Sequence, residues 1–183
     1  MVSIREAGGG DVAAITAIQN ALLTTTTFEW TETPHTEAGR HAWLERQRAA
    51  GHPVLVAVDD GDGHGEVVGW AAYGDFRDSA KWPGYLPTVE HTVHVRGDQW
   101  GRGVGRRLMD ALAEHARAAG KRVMVGGIDG TNVDSIRFHE RLGFVETARM
   151  PGIGVKFGQR LDLVLMQRAL DVDVDVDVDV DKG

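Results

Sequence analysis

The sequence contains no cysteine, and this absence excludes a disulfide scaffold, a thiolate nucleophile and a cysteine-ligated zinc site. It also lacks an apolar run that approaches the length of a membrane span. The start of the chain, MVSIREAGGGD, has no apolar segment of the kind that a secretory signal carries. We therefore expect a cytoplasmic protein that does not insert into a membrane.

Basic residues are fewer than acidic ones: 20 Lys and Arg stand against 27 Asp and Glu, and the net charge is −7. Residues 171–183 carry −5 of that charge, with six Asp and one Lys, and the rest of the chain carries only −2. A nearly neutral body argues against a nucleic-acid partner, since such a protein would present a basic face. The eight His follow no zinc-binding spacing, so we predict no metal site.

The length of 183 residues and the hydrophobic content of 42% suit one globular domain with one sizeable core. We assign that domain to residues 1–170. Residues 171–183 alternate Asp and Val, and an Asp at every second position repels its neighbours and disfavours a strand. We predict that this acidic low-complexity tail is disordered.

Apolar periodicity and turn residues predict an α+β domain, of the mixed α/β kind, with the element order βααβββαβαββ. The predicted loops of interest are residues 24–30, which contain a run of four Thr, and residues 74–88, which are rich in Gly, Pro, Asp and aromatics. The predicted strands cover residues 2–7, 54–59, 66–73, 90–95, 123–128, 144–150 and 161–167, and the predicted helices begin near residues 12, 36, 104 and 133.

A glycine-rich segment, QWGRGVGRR (99–107), lies between a predicted strand and a predicted helix. Its three glycines let the backbone curl around a ligand, and the helix N-terminus adds positive charge beside Arg102, Arg106 and Arg107. These features indicate a cradle for pyrophosphate, although the glycines alone also suit an ordinary strand-to-helix turn. The G-x-G-x-G spacing differs from a Rossmann fingerprint, and the G-K-[ST] of a Walker loop is missing.

The segment EHTVHVRGDQWGRGVGRRLMDAL (90–112) resembles the acetyl-CoA site of the GNAT acetyltransferases, and NVDSIRFHERLGF (132–144) resembles their second cofactor motif. One branch of that superfamily, the phosphinothricin and methionine sulfoximine (sulfone) acetyltransferases, is similar to FEWTETP (28–34), YGDFR (73–77) and VKFGQRLDLVLMQ (155–167). The resemblance runs from about Ile4 to Leu170. It implies the GNAT fold, a central twisted mixed sheet of about seven strands flanked by about four helices, with acetyl-CoA as co-substrate and a homodimer as the assembly.

The resemblance also implies roles for single residues. Glu90 occupies the position of the catalytic carboxylate, and His139 lies where many members carry a Tyr that protonates the leaving thiolate. Judged without the resemblance, Glu90 is an exposed residue at a strand end and His139 a helix residue that packs against the cofactor. One departure stands out, because Trp100 occupies a position that the superfamily usually gives to Gln or Arg.

The same resemblance implies the remaining site residues. The chemistry of Arg77 also supports a place at the substrate, because a guanidinium can hold a carboxylate with two hydrogen bonds. The residues expected at the cofactor are Val93, His94, Val95, Gly101, Arg102, Gly103, Val104, Gly105, Arg106 and Asn132. The residues expected at the substrate are Phe28, Glu29, Arg77, Asp78, Ser79, Glu90, His91 and Thr92.

The sequence therefore predicts an enzyme that transfers acetyl from acetyl-CoA to the amino group of a small, amino-acid-like substrate by direct attack. Phosphinothricin, methionine sulfoximine and methionine sulfone are the expected substrate types. The 78–89 segment is longer than usual for the branch, and its Trp82 and Tyr85 can reshape the substrate pocket. Two alternatives stay open: acetylation of another amine, such as a polyamine or a protein N-terminus, and a non-catalytic acyl-CoA-binding module.

Overall fold

A computed structural model describes residues 1–61, 63 and 65–170, and the predicted disorder of residues 171–183 lies outside this part. Within it, strands and helices follow one another in the predicted order βααβββαβαββ. The bounds are β1 (Val2–Glu6), α1 (Val12–Leu23), α2 (Glu37–Ala49), β2 (Val54–Asp59), β3 (Glu66–Asp75), β4 (Thr88–Val95), α3 (Val104–Ala118), β5 (Val123–Asp129), α4 (Val133–Arg141), β6 (Val145–Lys156) and β7 (Gln159–Ala169).

The seven strands form one mixed sheet in the order β1-β2-β3-β4-β5-β7-β6. Neighbours are antiparallel except β4 and β5, which run parallel because helix α3 carries the chain back between them. Among the described residues, β4 and β5 pair only where Thr88–Glu90 lies beside Val123–Val125. Beyond that point the two strands diverge, and the sheet opens into a cleft.

Helices cover both faces of the sheet. On one face α3 packs the apolar side that includes Leu108 and Leu112 against the strands. On the other face α1 and α2 bring Ile15 and Leu44 against Trp70. Because both faces are covered, β2 is apolar and buried along nearly its whole length rather than alternating with polar residues.

The last hairpin is longer than its sequence predicts. The expected strand over residues 144–150 continues as β6 to Lys156, and β7 begins at Gln159 rather than at Leu161. Phe157 and Gly158 join them with positive φ angles of 51° and 71°, the backbone of a two-residue hairpin turn. The Pro and Gly residues between the two predicted strands, over residues 151–160, are typical of a loop. A register shift between Met150 and Gly154 accommodates those of β6 within the strand.

Candidate active site

The cleft between β4 and β5 has a volume of about 810 Å³. Its walls come from the outer half of β4, the glycine loop with the start of α3, helix α4, and the loop that follows α1. The divergence of the two strands leaves main-chain hydrogen-bonding groups of β4 without a neighbouring strand. The floor of the cleft therefore offers polar main-chain groups, and the lining mixes apolar with polar side chains.

The direction of these main-chain groups alternates along β4. The N–H of Arg96 donates to Val68 O at 2.9 Å, and this places the even-numbered residues of β4 in hydrogen-bonded pairs with β3. The N–H and C=O groups of Val93 and Val95 consequently point to the cleft. Those of His94 face β3, so its main chain is not available to a ligand and only its imidazole reaches the cleft.

The glycine loop positions the N-terminus of α3 at the cleft wall. Gly101 and Gly103 have φ angles of 75° and 80°, a conformation that residues with a Cβ rarely adopt. Gly103 is the N-cap, and the first helical hydrogen bond runs from Arg107 N to Gly103 O. The amides of the three residues before Arg107 therefore have no helical acceptor. Gly105 has another task, since a Cβ there would lie 3.2 Å from the Phe138 ring of α4.

The arginines of this loop are exposed, and of Arg102 and Arg106 it is Arg106 that lines the cleft. Arg106 Nε lies 3.6 Å from Asp110 Oδ2 on the next helical turn. The loop therefore offers main-chain amides at its centre and exposed positive charge at its edge, which suits a phosphate group.

Trp100 connects the glycine loop to two other walls of the cleft. Its Nε1–H donates to Val95 O at 2.7 Å. Its ring lies 6.2 Å from the Phe28 ring, centroid to centroid. The indole thus replaces the charged or amide side chain expected here with an aromatic bridge between β4 and the loop after α1.

Helix α4 begins at Asn132, whose Oδ1 accepts the Ser135 N–H at 3.1 Å. Asn132 lines the cleft, and among the described residues nothing accepts from its Nδ2. Its predicted N-cap role is visible, and the capping bond leaves two donor hydrogens for a ligand.

His139 lies on the buried side of α4, and its Nδ1–H donates to Ser135 O at 2.7 Å. Burial lowers the pKa of His139, so the imidazole is neutral and its Nε2 is an acceptor. The ring stacks on His91 at 5.1 Å, and burial likewise holds the pKa of His91 well below its ordinary value. Gly126 makes room for this pair, since a Cβ there would lie 2.6 Å from His91 Nε2.

The loop after α1 delivers Phe28 and Glu29 to the cleft. Glu29 accepts from Gln19 Nε2, and its two oxygens lie 2.9 Å from His94 Nε2 and 3.2 Å from His35 Nε2. Burial alone would raise the pKa of Glu29, but the hydrogen bonds with His94, His35 and Gln19 lower it to about 2. No local signal in the sequence reveals this network, because Glu29 and His94 are 65 residues apart.

Glu90 lies beside the cleft rather than in its lining. A Cβ on the cleft residue Gly127 would lie 3.5 Å from Glu90 Oε1. Burial by the surrounding protein raises the pKa of Glu90, and the positive charge of Arg77 opposes that rise. The positive charge of Arg77 thus acts on Glu90, and neither of these two side chains is among the residues that line the cleft.

The two residues after Arg77 are engaged within their own loop. The carboxylate of Asp78 accepts the N–H groups of Ala80 and Lys81 at 3.1 and 3.2 Å. The Ser79 hydroxyl donates to Asp75 Oδ2. These side chains shape the loop that carries Arg77, and neither is among the residues that line the cleft.

Among residues 1–61, 63 and 65–170 there is no group of three or more His, Asp or Glu side chains arranged to hold a metal ion. Over the same residues, no helix combines the length and the apolar character that crossing a membrane requires.

Known proteins are similar to this chain in sequence and in fold. A sequence model of the acetyltransferase (GNAT) family matches residues 15–144. The chain is 48% identical over 169 residues to a methionine sulfoximine/methionine sulfone acetyltransferase of Pseudomonas aeruginosa, which covers 92% of this chain and 95% of that one. It is 44% identical to the L-amino acid N-acyltransferase MnaT of Escherichia coli, over 93% of this chain and 95% of that one.

The structure is also similar to that of the acetyltransferase yncA from Salmonella typhimurium, which was solved with acetyl-CoA. The TM-score is 0.87, the sequences are 42% identical, and the match covers 97% of this chain and 99% of the other. The predicted fold and the predicted enzyme class are thus confirmed. The chain is an acetyltransferase and belongs to the GNAT family.

Proposed function

We propose that the enzyme acetylates the α-amino group of a small amino acid of the methionine sulfoximine, methionine sulfone or phosphinothricin type, with acetyl-CoA as the donor. The observation that carries the proposal is the cleft between β4 and β5, with Glu90 beside its lining residue Gly127 and within reach of the charge of Arg77. The 48% identity to a methionine sulfoximine/methionine sulfone acetyltransferase supports this substrate type.

The residues of the cleft fit acetyl-CoA. Val93 presents a main-chain donor and acceptor, and Val95 a donor, of the kind that pair with the amides of an extended ligand, while Val95 O accepts from Trp100. The amides of the glycine loop suit the pyrophosphate, and Asn132 Nδ2 adds a side-chain donor. When bound, acetyl-CoA supplies an acetyl group activated as a thioester. Val93 and Val95 would hold it along β4, next to the point where the strands diverge.

Glu90 is the proposed general base. It takes a proton from the substrate amine, through one bridging water, as the nitrogen attacks the acetyl group. An ammonium has no lone pair, and the nitrogen becomes more acidic as its new bond forms, so Glu90 needs position more than strength. Because its pKa is raised, the Glu90 carboxylate is closer in basicity to the substrate amine. It is therefore a better base than a Glu of ordinary pKa.

Arg77 is the proposed partner of the substrate carboxylate. It is exposed and close enough to Glu90 for its charge to act there. An α-amino acid has two charged groups: its carboxylate binds Arg77, and its amine lies beside Glu90. Asp78 and Ser79 contribute to this site by holding the Arg77 loop in shape.

His139 fits a packing role better than the acid role. Its single proton is directed to Ser135 O, and burial disfavours the imidazolium that could give a proton to the thiolate. The stacked pair of His139 and His91 forms a polarizable wall of the cleft. We propose that solvent protonates the thiolate as CoA leaves.

Thiol release from acetyl-CoA, measured with a panel of amines, tests the proposed function. We expect turnover with methionine sulfoximine, methionine sulfone or phosphinothricin, and none with spermidine or with peptides that have free N-termini. Turnover of the polyamine or the peptides alone would favour the other amine acetyltransferases. A complete lack of turnover with tight acetyl-CoA binding would favour a non-catalytic binding module.

Arg77→Ala tests the carboxylate contact. We expect the KM for the amino acid to rise about tenfold or more, with little change in the KM for acetyl-CoA, because a charge-assisted contact is lost. Lys81→Ala, in the same exposed loop, is the matched control and should leave both constants unaltered. Equal turnover of amines that lack a carboxylate in the parent enzyme would assign Arg77 another task.

We also propose that the enzyme is cytoplasmic, where acetyl-CoA is available, and that it forms a homodimer. An exposed apolar row along the last hairpin, with Val145, Ile153, Val155 and Phe157, supports the second point. Sedimentation equilibrium should show that the parent is a dimer and that Val155→Asp dimerises more weakly. A monomeric parent would exclude the homodimer.

A further inference from the structure

Two segments that mark the branch in the sequence, FEWTETP (28–34) and VKFGQRLDLVLMQ (155–167), contact each other in the structure. The contact centres on Lys156, the last residue of β6, whose side chain is 1% exposed. Lys156 Nζ donates to Leu23 O at 2.7 Å and to Glu29 O at 2.6 Å. A buried ammonium is costly unless it is hydrogen-bonded, and main-chain carbonyls of this loop meet that need.

The two acceptors bracket one segment of chain. Leu23 is the last residue of α1, and Glu29 lies six residues further on. One ammonium thus closes the loop over residues 24–28 by binding both of its ends. Closing a loop in this way removes conformational freedom that the four consecutive Thr would otherwise retain.

The rest of the hairpin reinforces the contact. Trp30 packs on Gly154, where a Cβ would overlap the indole ring. Beyond Lys156, the N–H of Phe157 donates to Glu32 Oε1 at 3.0 Å. The hairpin therefore holds the loop at three successive points.

The fixed loop lines the cleft with two side chains, Phe28 and Glu29. Its outer side is attached to the sheet as well, since the Thr27 hydroxyl donates to Asp129 Oδ2 and Glu29 pairs with His94. Lys156 itself is not among the residues that line the cleft. Any effect of Lys156 on the substrate must consequently pass through the loop.

We infer that Lys156 is a positioning residue for the substrate side of the active site. It holds the loop after α1 so that Phe28 and Glu29 form the wall that the amino acid meets, and binding does not have to order the loop. This inference rests on the proposed function, in which these two residues face the substrate.

Lys156→Met tests it, because Met keeps the apolar stem and removes the donors. We expect the KM for the amino acid to rise about tenfold, with the KM for acetyl-CoA changed less than about twofold. Chymotrypsin should also cleave the folded variant at Phe28 or Trp30 faster than the parent. Val164→Ala is the matched control: it removes buried volume from β7, so it should lower the melting temperature without either effect.

Gly154→Ala disturbs the same contact from the other side, since it displaces Trp30 while Lys156 stays in place. It should reproduce the rise in KM and the faster cleavage, and it decides the matter if Lys156→Met does not fold. Unchanged substrate KM in both folded variants would overturn the inference. Phe28→Ala then tests the substrate wall separately from Lys156. A raised substrate KM would support a contact between Phe28 and the substrate, and an unchanged substrate KM would rule that contact out.

Discussion

At the scale of single residues, two carboxylates near the cleft have opposite environments. Glu29 accepts from three neighbouring side chains, and these bonds lower its pKa to about 2 despite burial. Glu90 lies beside Arg77, and burial raises its pKa despite that positive charge. A carboxylate held by several donors is a poor base, and one raised by burial is a better one. The comparison favours Glu90 over Glu29 for proton removal.

Glu90→Gln is expected to lower kcat by roughly 10²–10⁴ and to leave the KM for acetyl-CoA little altered. Because the pKa of Glu90 is raised, the acid limb of the parent's kcat/KM profile should fall above the ordinary range of a Glu. Activity should be lost as the pH drops through that limb, since the base must be ionised. Stopped assays across pH 4–9 measure both effects.

The Gln variant should lose this limb and keep only the dependence set by the substrate amine. Glu114→Gln, an exposed carboxylate on α3 outside the cleft, is a suitable control. A near-normal kcat for Glu90→Gln at neutral pH would place the base elsewhere.

At the scale of elements, the segment from the end of β3 to β4 is fixed by Asp75. Its carboxylate accepts from the Ser79 hydroxyl and lies 3.2 Å from His52 Nε2 and 3.9 Å from Lys121 Nζ. The ring of Phe76 contacts that of Tyr85 at 6.0 Å across the same loop. The loop that carries Arg77 is thus anchored at its start and braced across its width.

Asp75→Asn should raise the KM for the amino acid about threefold to tenfold, because the Arg77 loop loses its ionic anchor, and should leave the KM for acetyl-CoA unaltered. Initial-rate kinetics with each substrate varied in turn give the two constants. Asp59→Asn, which alters the ion pair between β2 and the N-terminal amine, is the control. A shift in the acetyl-CoA constant of Asp75→Asn would point to a distortion of the whole sheet instead.

The junction of the glycine loop and α3 depends on backbone conformation rather than on side-chain space. Gly103 has a φ of 80°, and a Cβ on it would meet no atom within 4 Å. Gly103→Val should therefore fold with modest loss of stability but raise the KM for acetyl-CoA strongly, since the strained loop turns its amides away from the phosphates. Isothermal titration with CoA measures the loss directly.

Gly97→Val is the comparison, because Gly97 also has open space for a Cβ but has no positive φ. It should bind CoA as the parent does. Equal affinity of the Gly103 and Gly97 variants would remove the loop from the cofactor site.

The sequence predicts those elements whose signal is local. The glycine loop, the N-cap at Asn132 and the order of strands and helices follow from periodicity and turn chemistry within short windows. The full length of β6 does not, since Pro151 and the neighbouring glycines indicate a break that a register shift absorbs.

Contacts between residues that are distant in the sequence cannot be predicted, because they leave no signal within a short window. Lys156 and Leu23 are 133 residues apart, and nothing near Lys156 shows that it is buried. Likewise, Asp78 and Ser79 are predicted at the substrate, yet their side chains bond within their own loop. Which of two polar partners a side chain takes is decided by tertiary packing, which one sequence does not display.

At the scale of the whole molecule, the sheet joins two layers that depend on each other. The face covered by α3 carries the cofactor loop, and the face covered by α1 and α2 carries the Glu29 network. Strand β4 belongs to both, since Val93 and Val95 face the first and His94 the second. Under the proposed function, cofactor and substrate meet at this strand, and the opening between β4 and β5 gives them access to each other.

Leu170, the residue that follows β7, is firmly attached to the rest of the described chain. Leu170 is fully buried, its N–H donates to Arg122 O at 2.8 Å, and its carbonyl accepts from Arg117 Nε at 2.8 Å. We predict that a chain ending at Leu170 keeps the melting temperature and the kinetic constants of the parent. Six Asp among the thirteen residues removed cannot bury enough apolar area to offset the cost of ordering them.

A chain ending at Arg168 is the informative comparison, since it also removes Leu170 and both of its hydrogen bonds. Loss of a buried Leu costs about 2–5 kcal/mol, which lowers the melting temperature of a domain of this size by roughly 5–15 °C. Thermal unfolding followed by circular dichroism measures both chains beside the parent. If the chain ending at Leu170 also melted several degrees lower, residues 171–183 would have to contact the folded unit, and the boundary after Leu170 would be wrong.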